Sequence, residues 1–114
     1  MKLILNNLCY IFLCYLDGPL LTNITANNLN QSHSIVEIEE GKPVKIECKS
    51  HSEPPARYSI QLKNRQLNVD DTVGIVNIDK MAIENEGEYV CVSRNPKLSI
   101  TESRKIKVLV ASMF

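Results

Sequence analysis

The run Asn85-Glu86-Gly87-Glu88-Tyr89-Val90-Cys91 constrains this chain more than any other stretch. Glycine, tyrosine and cysteine recur at every second position, the mark of a corner that leads into a β-strand. A second cysteine, Cys48, precedes Cys91 by 43 positions, enough chain for several short strands. A bridge closing a loop of that size contributes about 4 kcal/mol in the chain-entropy model. A chain of 114 residues is too small for a generous core, so a contribution of that size matters.

Length and composition fit one domain. The 13 basic and 13 acidic side chains cancel, so nothing draws the whole chain to nucleic acid or to a membrane surface. An apolar content of 44% suffices for a sandwich core.

Residues 1–18 read as a leader rather than as fold. Lys2 supplies a positive charge, and the apolar run from Leu8 to Leu16 is too short to span a bilayer. Asn6 and Asn7 interrupt the apolar stretch, and no Ala-x-Ala site follows. A cut near Asp17 or Gly18 is expected, although Pro19 would then follow it. The alternative is a hydrophobic strand carried by an incomplete chain. Removing the leader removes Cys9 and Cys14, leaving an even pair in an exported chain. Two sequons, Asn23-Ile24-Thr25 and Asn30-Gln31-Ser32, point to the same address and make Asn23 and Asn30 candidate glycosylation sites. Both fall in a stretch, 19–32, read as a polar lead-in before the first strand.

Period-two alternation then lays out an all-β, two-sheet sandwich over residues 33–111, with 112–114 as a short tail. Val36 and Ile38 point inward from a first strand, and Gly41-Lys42-Pro43 turns the chain. Val44, Ile46 and Cys48 form the next inward row. Ser52-Glu53-Pro54-Pro55 reads as a loop, because proline cannot donate to a ladder. Tyr58, Ile60 and Leu62 follow, and Lys63-Asn64-Arg65 makes a tight turn in which Asn64 tolerates positive φ. Val76 and Ile78 alternate again, with Met81 plugging the end of the sandwich. Tyr89 and Cys91 precede a loop from Asn95 to Thr101, and Ile106, Val108 and Val110 form a last strand.

With these residues in place, the stretch Glu47–Arg94 resembles an immunoglobulin-superfamily domain of the I-set or C2-set type. Cys48 to Ser59 and Ile78 to Cys91 are especially similar to domains of the carcinoembryonic-antigen-related adhesion molecules. Sialic-acid-binding lectins and other adhesion receptors carry related domains. The resemblance implies an intersheet disulfide between Cys48 and Cys91 and a corner formed by Asn85, Gly87 and Tyr89. Two positions depart from the family pattern. Ile60 stands where a tryptophan usually packs on the disulfide, which buries less aromatic area and lowers the expected stability. Asn85 replaces the usual corner aspartate. The spacing of the cysteines also leaves no room for the two extra strands of a variable-type domain.

Chemistry is not expected of this chain. His33 and His51 have no cysteine or carboxylate at metal-ligand spacing. Asp70-Asp71 reads as a polar turn rather than a carboxylate pair. No nucleophile elbow or phosphate-binding glycine loop is present. Catalytic, metal and cofactor sites are therefore all expected to be absent.

What remains is surface recognition. One sheet is expected to present Glu37, Lys45, Glu47, Lys49, Asn77 and Asp79 outward, all polar. The other presents Ser59, Gln61, Val90, Val92, Lys105, Lys107 and Leu109, with Lys63 and Arg94 nearby. An apolar centre (Val90, Val92, Leu109) inside a basic rim is the form of a protein-binding patch. The alternative is a few exposed valines of the kind any strand carries. Lys105 and Lys107 share one strand face, and because some sialic-acid lectins use a strand arginine for the carboxylate, Arg94 is a candidate. A sulfated or sialylated glycan is nevertheless the less favoured ligand, because that lectin site belongs to a variable-type domain. The expected function is a secreted, extracellular recognition or adhesion module for a cell-surface protein, homophilic or heterophilic. The alternative is a spacer domain of a longer receptor or matrix protein. The run Val108–Phe114 is too short to span a membrane.

Overall fold

A strand that alternates apolar and polar residues shows one face to a core and the other to water. The computed structural model, which describes residues 17–30, 35–67 and 69–111, turns these alternations into two packed sheets. The strands are β1 (Asp17–Ala26), β2 (Leu29–Asn30), β3 (Ile35–Glu39), β4 (Val44–Glu53) and β5 (Arg57–Leu62). They continue with β6 (Arg65–Gln66), β7 (Ile75–Ile78), β8 (Gly87–Asn95) and β9 (Ile100–Ala111), with one 3-10 turn at Ile83–Asn85. One sheet has the order β2-β1-β4-β7 and the other β3-β9-β8-β5-β6. Pairing is antiparallel except between β3 and β9, which run parallel. Among the described residues no helix is long and apolar enough to cross a membrane.

The inward rows meet between the sheets. Val44, Ile46 and Cys48 of β4 face a layer that includes Ile60, Leu62, Tyr89, Cys91, Ile106 and Val108, all buried. Cys48 and Cys91 form the intersheet disulfide, with Cα atoms 6.3 Å apart. Ile60 is wholly buried and pairs in register with Cys91, so the aliphatic chain occupies the place beside the bridge. Met81 closes the end of the core at 1% exposure, as the sequence suggests. Gly74, just after the turn at 71–73, leaves no room for a side chain. At φ +69° an added Cβ would stand 2.8 Å from the Cys48 carbonyl oxygen and 2.9 Å from the Tyr58 ring. Lys63 and Asn64 both take positive φ in the two-residue turn between β5 and β6, the geometry a tight hairpin requires.

At the corner, Asn85 ends the 3-10 turn and Gly87 opens β8. Tyr89 is fully buried and its hydroxyl donates to the Asn85 carbonyl oxygen at 2.5 Å. Burial pushes its phenol from 10.0 up to about 12. The folded state therefore favours the neutral phenol. That contribution is complete below pH 10 and is lost as pH rises from 10 towards 12. Tyr89→Phe removes one hydrogen bond, and the expected cost at neutral pH is about 1 kcal/mol. Melting curves from pH 7 to pH 11 should show the native chain falling more steeply above pH 10 than the variant; parallel curves would refute this origin of alkaline sensitivity.

Two expectations are corrected. Residues 19–32 are not a lead-in, since β1 starts at Asp17 and pairs along β4 as far as Ala26. Ile24 and Ala26 lie in the core at 1% and 0% exposure. The buried Thr22 hydroxyl shares a 2.8 Å hydrogen bond with Ser93 Oγ, and the Thr22 N–H donates to Glu102 Oε1 at 2.8 Å. Through its hydroxyl and N–H, Thr22 holds the Glu102 carboxyl below its ordinary value. A polar composition hid this strand because threonine can be buried when its hydroxyl is satisfied. Residues 1–16 lie outside the described residues, as do His33 and the 112–114 tail, while Asp17 and Gly18 already belong to β1.

The second correction concerns Val36 and Ile38. The expectation puts their strand, β3, in the sheet of β4, but it pairs with β9 in the five-stranded sheet, so Glu37 lies opposite Leu109. The reason is competition for an edge. β1 occupies the edge of β4, and the chain then crosses to the free edge of β9. β4 also continues through Ser52 to Glu53, so the loop before β5 is shorter than its prolines imply.

Candidate interaction face

Strands β5, β8 and β9 form the middle of the five-stranded sheet, and register fixes which side chains share its outer surface. Val90 lies between Gln61 of β5 and Lys105 of β9, and Val92 between Ser59 and Ser103. One step along, Arg94 lies between Arg57 and Thr101, and Glu88 lies opposite Lys107. Inward of these, Tyr89, Cys91 and Ser93 are buried. The alternation therefore brings Gln61, Val90, Val92, Arg94, Lys105, Lys107 and Leu109 to one surface, with Lys63 at the adjoining turn.

The apolar centre is narrower than expected. Val90, Val92, Leu109 and Gln61 are half-buried, whereas Lys63, Arg94, Lys105 and Lys107 are exposed. Val90 has the long side chains of Gln61 and Lys105 as its register neighbours, and stems of that length can cover apolar surface. Two shallow grooves result. One, of about 240 Å³, is lined by Gln61, Lys63, Asn64, Glu88 and Val90. The other, of about 300 Å³, places Val92 among Arg57, Ser59, Asp71 and Arg94.

Charge on this surface is lopsided. Lys105 pairs with Glu88 at 3.8 Å and Arg57 with Asp71 at 3.1 Å. Among the described residues Lys63 donates only to the Glu84 carbonyl oxygen, at 3.4 Å. Arg94 and Lys107 make no ion pair among the described residues. Over β5, β8 and β9 the surplus is therefore positive, and it is bounded at the Leu109 end by the exposed Glu37 of β3. Sequence reasoning missed Arg57 and Asp71. Arg57 stands two residues before Ser59 and shares its face, so the period-two pattern contained it. Asp71 arrives by a turn, and turns have no period.

That turn also settles the two carboxylates. Asp70 accepts from the Thr72 hydroxyl at 2.7 Å and from the Thr72 N–H at 3.0 Å, which hold it below the ordinary carboxylate value. Asp71 faces Arg57 instead, so the pair does not converge. Among the described residues no three histidine, cysteine or acidic side chains group as metal ligands.

The outer surface of the other sheet is polar. Lys45 and Lys49 flank Glu47 at 3.7 and 3.6 Å. Asn23 is exposed beside Lys49 on β1, whereas no side-chain position is described for Asn30.

Comparison with known proteins agrees with the fold. Residues 24–95 match the family described as "Immunoglobulin domain", and the match begins at Ile24 in β1. Sialic acid-binding Ig-like lectin 13 of Pan troglodytes is 33% identical over 73 residues, covering 63% of this chain and 19% of that protein. Sialic acid-binding Ig-like lectin 10 of Homo sapiens is 31% identical over 71 residues, 60% of this chain and 10% of that protein. The chain thus spans less than a fifth of the curated relatives' length. Among solved structures, the second Ig-C2 domain of human Fc-receptor like A superposes with a TM-score of 0.61 at 13% identity, covering 78% of this chain and 94% of that one. An immunoglobulin domain from the titin M10–obscurin-like 1 complex gives 0.58 at 19% identity, covering 70% and 88%. At such identities these structures speak to the fold alone.

Proposed function

The chain belongs to the immunoglobulin domain family, and from that premise we propose that it is an extracellular, non-catalytic recognition module. Its binding surface is the outer face of β5, β8 and β9, and its ligand is a cell-surface protein. The observation that carries this reading is the placement of half-buried Val90 and Val92 inside an exposed basic rim of Lys63, Arg94 and Lys107. Aliphatic side chains flanked by long cationic stems give a patch that can be desolvated at its centre while its charges stay at a wet rim. The surplus of cations favours a partner with an acidic surface. Two copies meeting through this face across a two-fold axis would oppose like charges, so heterophilic contact is favoured over homophilic.

The names of the relatives add sialylated glycan as a ligand class. The part matched is under a fifth of each, so a sialylated glycan remains the less favoured ligand. The same coverage favours one second reading, a spacer domain that holds other domains of a longer extracellular protein in position.

A panel of cell-surface ectodomains, probed with the exported full chain, separates the two. Saturable binding to one ectodomain, lost by at least about thirty-fold in Val92→Glu, is the expected result. Lys49→Glu on the opposite sheet should bind as the native chain does. A Val92→Glu chain that folds and binds unchanged removes the face from the reading. An absence of any saturable partner supports the spacer.

A further inference from the structure

We propose that Asn23 carries an N-linked glycan that guards the open edge of β1. The sequon Asn23-Ile24-Thr25 lies within a strand, and the strand fixes its geometry. Ile24 points into the core at 1% exposure, so Asn23 and Thr25 both point outward. A shift of one residue would have buried the asparagine and exposed the isoleucine. The Asn23 side chain is exposed and makes no hydrogen bond among the described residues, so modification of its amide breaks no internal contact. It borders a shallow groove of about 150 Å³, which it lines with Thr25, Asn28, Glu47 and Lys49. Those neighbours are all polar and suit a hydrated sugar.

The position also answers a weakness of the fold. β2 pairs with β1 only at Thr25 and Ala26, so the outer edge of β1 at Asn23 has no strand beside it among the described residues. Leu21, two residues before, is 76% exposed, the most exposed large apolar side chain among the described residues. An open edge next to an exposed leucine invites pairing with a second chain. A glycan at Asn23 blocks that approach by bulk and hydration. The bond forms between Asn23 Nδ2 and the anomeric carbon of a lipid-pyrophosphate-linked oligosaccharide. The lipid pyrophosphate leaves with the bonding electrons, and the amide gives up one proton. Because the sugar stands on the four-stranded sheet, it leaves the β5-β8-β9 face bare.

The test is glycopeptide mapping of the full chain, exported from mammalian cells behind a supplied secretion signal. Peptide-N-glycosidase F in heavy-oxygen water should mark position 23, and Thr25→Ala should abolish the mark. An unmodified Asn23 in the exported chain overturns the site. The enzymatically stripped chain should then sediment with a concentration-dependent dimer that the glycosylated chain lacks. A stripped chain that stays monomeric at the same concentrations overturns the guarding role. Neither readout involves a partner, so both outcomes are independent of the recognition reading.

Discussion

Replacing Cys48 and Cys91 together by alanine is expected to lower the melting temperature by roughly 16–32 °C. The loop they close spans 43 positions, worth about 4 kcal/mol of constraint on the unfolded chain, and a domain of this size shifts by roughly 4–8 °C per kcal/mol. Nothing nearby compensates. The bridge runs between the sheets at the centre of the core, and its neighbour in register is the aliphatic Ile60. Both sulfurs are fully buried, so the alanines also leave unfilled volume. The double variant is the better probe, because a single one leaves a reactive thiol in the core. Thermal unfolding followed by circular dichroism reads the effect. A double variant melting within a few degrees of the native chain would mean that packing alone defines this fold.

The sandwich was legible because most of its strands follow one rule strictly. Val44, Ile46 and Cys48, or Ile106 and Val108, alternate so cleanly that each inward side chain could be named from the letters, and each is buried. Tyr89 was legible for a chemical reason, since a buried phenol needs an acceptor and the corner supplies the Asn85 carbonyl oxygen. Sheet membership was not legible for β3. Alternation says which side of a strand is apolar, but not which neighbour takes its edge. That choice depended on β1 holding the edge of β4.

The candidate interaction face was legible in the same partial way. Its rows on β8 and β9 follow from alternation, and register brings them together. The degree of exposure did not follow. Val90 and Val92 are covered in part by neighbours on the adjacent strands, a contact between segments that no single stretch of sequence encodes. Asp71 reaches Arg57 through a turn stabilised by Asp70 and Thr72, and local hydrogen bonds of that kind leave no periodic trace.

β1 is where composition misled most, and its removal should be the severest change of all. A chain beginning at residue 33 keeps every strand expected from alternation, yet it should fail to fold where one beginning at residue 17 succeeds. Without β1, the core loses Ile24 and Ala26. Truncating a buried isoleucine to alanine alone costs about 2–5 kcal/mol. Among the described residues Ser93, fully buried, loses its 2.8 Å partner Thr22 and keeps only a 3.4 Å side-chain contact with the Glu102 carbonyl oxygen. The outer edge of β4, paired from Ile46 to Glu53, is left with bare donors and acceptors. Together these losses rival the roughly 5–15 kcal/mol that holds a whole domain. The shorter chain is expected to aggregate, and Ile24→Ala in the longer one to melt well below it. If the chain from residue 33 gave a cooperative melt at the native temperature, β1 would be an ornament on a core complete without it. The match of residues 24–95 to the immunoglobulin domain family, which starts inside β1, argues that the strand belongs to the core.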